Sequence, residues 1–595
     1  MTRPAGDVPP RPWAAVLTTA LLVAAVLLVF FPALQADFVN LDDDRTVLAP
    51  REHSGFAPAQ LLWMATSFET GHWHPLTWFS FAVDRALWGD GPFGFHLGNV
   101  LLHALAAALW LAVARQVLTE ALRRRAQRTG TAAPPAATME LAALFAAVLF
   151  ALHPLRVESV AWISERRDVL SGALFLGALL AWLSLRRLPE GAPGEGRRFA
   201  LFVVLLVLSL LSKAWGAALP VVLVALELWP FEREVLRPAA QTLRRRLLAA
   251  LGTCLPLSFA ALVVAAGAQQ ASGATRAWEQ HGLLERLVQS AYGLVFYPLR
   301  TLWPTGLSPL YPLEERLDPT EARFVFAALA VVAACAAAAV QWRRRPWWSA
   351  ALLAYIAIVA PVLGLLQSGP QLVADRYSYL SMLPFALLAG GGALALARVA
   401  ERRVRRRGQA VSAAVLVVLL VAVAWPLGLA SHARCAVWRS SETLWTSALE
   451  VIPDSYFARH GLGRALLESG RDAEAVLHFE HALRHQPSDR EGRATIRQSL
   501  GAALGNLGRL DEAREHWLEV LRLDPGHLHV LQDLAVAAAL QQRFDEAREW
   551  TGRVLQAAAG APPDAATEAL VQRARALRDS LPPPGGDPDP GGADG

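Results

Sequence analysis

Long apolar runs alternate with short polar breaks up to about residue 430 and then stop. The runs cover residues 13–34, 95–118, 141–152, 169–185, 199–231, 247–268, 324–340, 347–366, 379–397 and 410–429. Runs of this length and polarity predict helices that cross a bilayer. Arginine clusters set their directions. Arg123-Arg124-Arg125, Arg186-Arg187, Arg343-Arg344-Arg345 and the basic stretch 402–407 fall on one side when the chain enters at residue 13 with its N-terminus inside; positive loops face the cytoplasm. The first run, preceded by Arg3 and Arg11, reads as an uncleaved span, because the residues before Asp37 make a poor cleavage site.

The stretch 199–231 decides the count. A single crossing would place Arg233, Arg237 and Arg244–Arg246 outside. Two crossings leave about 15 residues each, or about 22 Å of helix against a core of about 30 Å. We take two short spans with Lys213 at the turn between them, recessed on the outer side. Residues 287–303 read as a partly buried or re-entrant segment within an outer loop. The total is about eleven spans, with the C-terminal region outside.

From residue 440 the pattern changes to an internal repeat. Gly470-Arg471-Asp472-Ala473-Glu474-Ala475, Gly508-Arg509-Leu510-Asp511-Glu512-Ala513 and Arg543-Phe544-Asp545-Glu546-Ala547 recur, with prolines 453, 487 and 525 closing the units. The interval from Ala475 to Ala513 is 38 residues, and that from Ala513 to Ala547 is 34. Each unit reads as a helical hairpin of the tetratricopeptide type, which buries its apolar face only by stacking on neighbours. The expected fold is therefore all-α: a polytopic membrane helix bundle over 1–435, a tetratricopeptide-repeat α-solenoid over 440–560, and a helical cap with a Pro/Gly-rich tail over 561–595.

Composition agrees. The chain is 54% hydrophobic and 18% charged, and its net charge of +5 sits in the arginine clusters that flank apolar runs, which is a topology signal and not a nucleic-acid one. Cys254, Cys335 and Cys435 have no metal or redox spacing and imply no disulfide framework.

Four polar groups stand at span ends on one side of the membrane in this topology. They are Asp42-Asp43-Asp44, the run 153–168, Lys213, and Asp375-Arg376-Tyr377. Charge at the edge of lipid is costly and needs a reason. A solvated acidic loop is one reason for the first group, and a helix end is one for His153-Pro154. Lys213 resists such a reading: it is the only lysine in an arginine-rich chain, set among apolar residues, and a compact ammonium suits phosphate. His96, Asn99 and His103 share one helical face and read as a polar seam between packed helices. Trp73 and Trp78 read as interfacial anchors or, less simply, as sugar platforms.

Taken in order, F-V-N-L-D-D-D at 38–44, W-H-P-L-T-W at 73–78, H-L-G-N-V-L-L-H at 96–103, the run from His153 to Ser171, L-S-K-A-W-G at 211–216 and A-D-R-Y-S-Y-L at 374–380 resemble bacterial relatives of the transmembrane and tetratricopeptide repeat-containing protein family. That family is similar to protein O-mannosyltransferases of the GT-C glycosyltransferase class. The resemblance covers roughly 30–560. It implies a multi-span enzyme of the bacterial inner membrane that moves a sugar, mannose or another hexose, from a polyprenyl-phosphate donor to Ser/Thr hydroxyls of extracytoplasmic proteins, with the repeats on that side as the acceptor-binding part. It assigns catalysis to Asp42, as general base, and Asp43. It assigns substrate binding to His153, Glu158, Arg166, Arg167, Asp168, Lys213, Asp375, Arg376 and Tyr377. No cofactor and no metal are required, since fixed cations carry the phosphate charge; a divalent cation on the aspartates is compatible with the same residues. The alternatives are a membrane-anchored repeat scaffold for envelope proteins, which leaves the four polar groups unexplained, and a transporter, which would carry ionisable residues deep in its spans.

Overall fold

The computed structural model describes residues 12–49, 54–238, 240–272, 281–314, 316–365, 371–403, 408–485, 490–560 and 565–583. Arg3, Arg11, residues 404–407 of the basic stretch, Pro487 and the tail from 584 lie outside the described residues. The chain divides into two compact units, residues 1–444 and 445–595, each described by itself.

The first unit is a helix bundle. Six described helices are long and apolar enough to cross a membrane: Pro92–Thr129, Ile163–Arg186, Gln241–Ala271, Ala322–Gln341, Leu383–Arg403 and Ala410–Trp438. A seventh follows if Ala136–Ala151 and Pro154–Ala161, bent by 53°, are one span. Trp13–Val29, Ala214–Leu228 and Pro346–Val362 are apolar but shorter. The expected total of about eleven is thus not confirmed by length and composition. Residues 287–303, expected to be partly buried or re-entrant, fall in a continuous and partly buried helix, Leu283–Leu302, with Glu285, Arg286 and Arg300 along it, which is not among the six.

The outer helices leave apolar side chains uncovered. Phe326, Leu329 and Val332 on Ala322–Gln341, and Val418 and Trp425 near the last span, are each at least 60% exposed. Contiguous apolar exposure on helices of this length is the surface of a protein solvated by lipid.

The stretch 199–231 breaks at Lys213. A helix runs Glu195–Ser212; Lys213 is extended; a tight turn over Ala214–Ala218 leads into Leu219–Leu228. Ion pairs order the ends of this bundle. Lys213 pairs with Glu165 and Asp168 at the start of one helix. At the far end of that helix Arg186 pairs with Glu227 at 2.8 Å and Glu234 at 3.1 Å, and Arg124 reaches Glu234 at 2.6 Å. The break at Lys213 and the return at Glu227 therefore lie at opposite ends of the bundle, as two short helices require. The polar seam is present: Asn99 Nδ2 donates to the Trp162 carbonyl at 3.0 Å, and His103 bridges Tyr379 Oη at 2.9 Å and the Ala151 carbonyl at 3.0 Å.

One small ladder was not legible in the sequence. Tyr311 and Pro312 pair antiparallel with Val373 and Gln371. It leads directly into Asp375-Arg376-Tyr377, which form a short tight helix.

The second unit stacks helical hairpins: Tyr456–Glu468 with Asp472–Arg484, Arg490–Asn506 with Leu510–Leu523, and Leu528–Leu540 with Phe544–Ala559, followed by Ala565–Ser580. Acidic residues in the first turn (Asp472 and Glu474; Asp511 and Glu512) and Arg484 and Arg522 in the last complement the helix dipoles. Each hairpin turns through a left-handed residue, at Gly470 (φ 72°), Gly508 (φ 75°) and Gln542 (φ 60°). A side chain there costs about 1 kcal/mol that glycine avoids. Gln542→Gly is therefore expected to raise the stability of the repeat unit by about 1 kcal/mol, read as an upward shift of its unfolding midpoint in denaturant.

Candidate active site

The acidic loop is held from both sides. The Asp37 amide donates to the Arg439 carbonyl at 2.9 Å, and the Asn40 amide to Ser441 Oγ at 2.9 Å. Asp43 then locks the loop to a second segment. Its Oδ2 accepts from the Val39 amide at 3.0 Å; its Oδ1 accepts from the Ser164 amide at 3.0 Å and from Ser164 Oγ at 2.5 Å. Burial pushes the Asp43 carboxyl up to about 7, while the three donated hydrogen bonds pull the other way. Residues 44–48 continue as a wide helical turn, so Asp42 stands just before it, only partly buried. Burial pushes Asp42 up to about 6, against the attraction of Arg167, Arg376 and Arg45.

The run 153–168 is not a solvated loop. Residues 151–166 are all buried, in a chain of tight turns and one short helix. Irregular backbone and charge persist inside a membrane-type bundle only where protein groups satisfy them. Here the satisfying group is Glu165. It takes Arg167 at 2.6 Å, Lys213 at 3.1 Å and Arg376 at 3.2 Å. Asp168 accepts from Lys213 Nζ at 2.6 Å, Trp215 Nε1 at 2.7 Å and Ser159 Oγ at 3.0 Å. Glu158 accepts the Arg376 amide at 2.9 Å and also its guanidinium, which lies between the rings of Trp162 and Tyr377. Three cations thus meet three carboxylates. The side chains of Glu165 and Asp168 are fully covered, whereas those of Lys213 and Arg167 keep 16% and 12% of their surface open. The anions are covered while Lys213 and Arg167 keep part of their surface open, and the charges of Arg167 and Arg376 act on Asp42.

The structure brings Asp42, Asp43, Glu158, Arg167, Asp168, Lys213 and Arg376 into this one constellation. It places others elsewhere. Arg166 turns away, donating to Asp84 at 2.5 Å, to the Phe95 carbonyl at 2.6 Å and to Asn99 Oδ1, and so fastens the helix Pro75–Trp88 to its neighbours. His153 accepts from the Leu155 amide at 3.2 Å and contacts the Thr301 carbonyl at 2.9 Å, so both ring nitrogens have protein partners. Asp375 accepts from Tyr311 Oη at 3.0 Å and is pushed up to about 6 by burial; Tyr377 Oη accepts from Gln371 Nε2 at 2.7 Å. These two brace the ladder that carries Arg376.

Glu165 is the central residue that sequence reasoning missed. Its only signal was its place directly before Arg166-Arg167 in the motif. Trp78 proves buried against Trp63 and Phe81, whereas Trp73 donates to the Ala65 carbonyl at 2.9 Å.

No family model matches the chain. Among known proteins, the protein O-mannosyl-transferase Tmtc3 of Drosophila melanogaster is 26% identical over 538 residues, 80% of this chain and 56% of that protein. Human protein O-mannosyl-transferase TMTC1 is 24% identical over 542 residues, 82% of this chain and 56% of that protein. This chain is similar to the TMTC O-mannosyl-transferases over about four-fifths of its length. It spans about half the length of these relatives. The oligosaccharyltransferase of Archaeoglobus fulgidus aligns with 79% of this chain and 60% of its own at 13% identity, with a TM-score of 0.36, too low to carry an argument.

Proposed function

We propose that the protein is a membrane glycosyltransferase. It moves a sugar, mannose in the first instance, from a polyprenyl-phosphate donor to a Ser/Thr hydroxyl of an extracytoplasmic protein. The observation that carries this reading is the constellation itself: a carboxylate without a bonded partner among the described residues, Asp42, under the influence of Arg167 and Arg376, whose shared counter-ion Glu165 is fully buried.

Asp42 accepts the proton of the acceptor hydroxyl as its oxygen attacks the anomeric carbon. The bond from that carbon to the phosphate oxygen breaks, and the electron pair leaves with the phosphate. Lys213, Arg167 and Arg376 stabilise the anion that forms there. A carboxyl near 6 suits a general base that must be ionised at neutral pH yet able to hold a proton. A single displacement inverts the anomeric configuration. Asp43 positions Asp42, since both of its oxygens are engaged by the loop and Ser164. The repeats bind the acceptor chain and raise its effective concentration. The site side faces away from the cytoplasm, in keeping with the arginine distribution.

With the oxygens of Asp43 engaged, Asp42 is the one carboxylate of that pair left to a cation, and hard divalent ions need several oxygen ligands. Transfer is therefore expected to survive dialysis against EDTA with its rate unchanged; a loss restored by Mg²⁺ or Mn²⁺ would return the aspartates to metal binding. The direct test offers radiolabelled polyprenyl-phosphate mannose and envelope proteins to the purified full-length chain. Label on protein supports the reading. No label with any sugar donor would overturn it in favour of a scaffold.

A further inference from the structure

His74 stands at the N-terminus of the helix Pro75–Trp88 and is 2% exposed. Neither of its ring nitrogens has a hydrogen-bond partner among the described residues. Its ring lies 4.7 Å from that of Trp78, whose indole Nε1 is likewise buried without a partner. Three buried N–H or acceptor positions left open in one place are unusual, because native interiors satisfy nearly all such groups. The site is not remote from the constellation. Thr77 Oγ1 donates to the carbonyl of Ser212, the residue before Lys213, at 3.2 Å. The charges that act on the imidazole are those of Arg167, Glu165 and Lys213. Burial, with Arg167 next, pushes His74 down to about 3, so the ring is neutral and carries one N–H and one lone pair. A neutral donor beside two cations adds a hydrogen bond to an anion without adding charge.

We propose that His74 is a binding residue for the lipid-linked donor, its imidazole N–H donating to a phosphate oxygen held by Lys213 and Arg167. This rests on the donor assigned above. The rival occupant is a buried water, which would satisfy the ring in the same place.

The test measures equilibrium binding of undecaprenyl phosphate, without sugar, to the full-length protein in detergent, beside thermal melts of each variant. Lys213→Met and His74→Phe are each expected to weaken binding about tenfold or more, as loss of a bond to a charged group does. His74→Gln, which keeps an N–H donor, is expected to stay within about threefold of wild type. Wild-type binding by His74→Phe with weak binding by Lys213→Met overturns the role of His74 and leaves the donor reading standing. Wild-type binding by both overturns the donor reading and this proposal with it. If His74→Gln binds as weakly as His74→Phe and both melt lower, the ring's shape is what matters and the proposal falls.

Discussion

Asp42→Asn is expected to reduce sugar transfer by roughly 10²–10⁴-fold, the usual contribution of a general base, while leaving insertion and donor binding intact. Two accompanying signatures make the result specific. Wild-type kcat/KM should rise with pH along an acidic limb centred near the Asp42 value of about 6, and in the variant that limb should be absent. The second signature is stability. Burial holds the Asp42 carboxyl above its unfolded value of about 4, so the folded state keeps the proton longer than the unfolded one. Stability is then lost as pH rises from about 4 to about 6 and changes no further above that. An amide carries no such penalty. At pH 8 the variant should be more stable than wild type by roughly 1–3 kcal/mol, and at pH 4 equal to it. Less activity with more stability is what a destabilised catalytic group produces. Equal stability at both pH values, or a limb that survives the substitution, would move the base to another carboxylate.

The second large effect is expected at Glu165, and it has the opposite sign for folding. Glu165→Gln removes the charge that Arg167, Lys213 and Arg376 share. Breaking a buried ion pair by deleting one partner costs about 3–5 kcal/mol, because a buried charge is left uncompensated. Asp168 still answers Lys213, and Glu158 still answers Arg376, so the loss falls mainly on Arg167. The variant should melt several degrees below wild type in detergent. Arg167→Met in the Glu165→Gln background should recover part of the loss, because it removes the stranded cation. Additive loss in the double variant would refute the coupling. Activity should fall in both, since the edges offered to the phosphate are no longer held in place.

The two substitutions separate a residue that acts from one that holds. The Asp42 carboxylate has no bonded partner among the described residues and is only partly covered; Glu165 has three cationic partners and no open surface. The same contrast divides the carboxylates of the acidic loop. Asp43 bonds to Val39 and Ser164 and so ties the loop to the 163–165 turn, next to Glu165 and Arg167.

Much of this was legible along the chain. Apolar period and arginine position located the helices of the bundle, because the bilayer imposes a length and a charge rule that act on local sequence. The repeat period located the hairpins, since each unit is built from contacts within about 34 residues. Lys213 was legible by composition, as a lone lysine in an arginine-rich chain. The break at Lys213 followed from the mismatch between two short spans and the bilayer.

What only the tertiary structure decided is which charges meet. Arg166 and Arg167 are neighbours in sequence, yet the helical rotation between them sends one to Asp84 and Asn99 and the other to Glu165. Glu165 joins cations from its own turn, from Lys213 between two helices and from Arg376 after a strand, a grouping set by the fold. The ladder that places Arg376 pairs residues some 60 positions apart, and its two short strands carry too little period to be read. The ring nitrogens of His74 lack a partner among the described residues because of what surrounds them, not because of the residue type. Sequence by itself determined the long helices, the repeat hairpins and the kinds of charge at their ends, though not the number of spans, since those follow from local periodicity and from solvent. The pairing of the charges, and the burial of the His74 ring, depend on contacts between distant segments, and no local pattern encodes those.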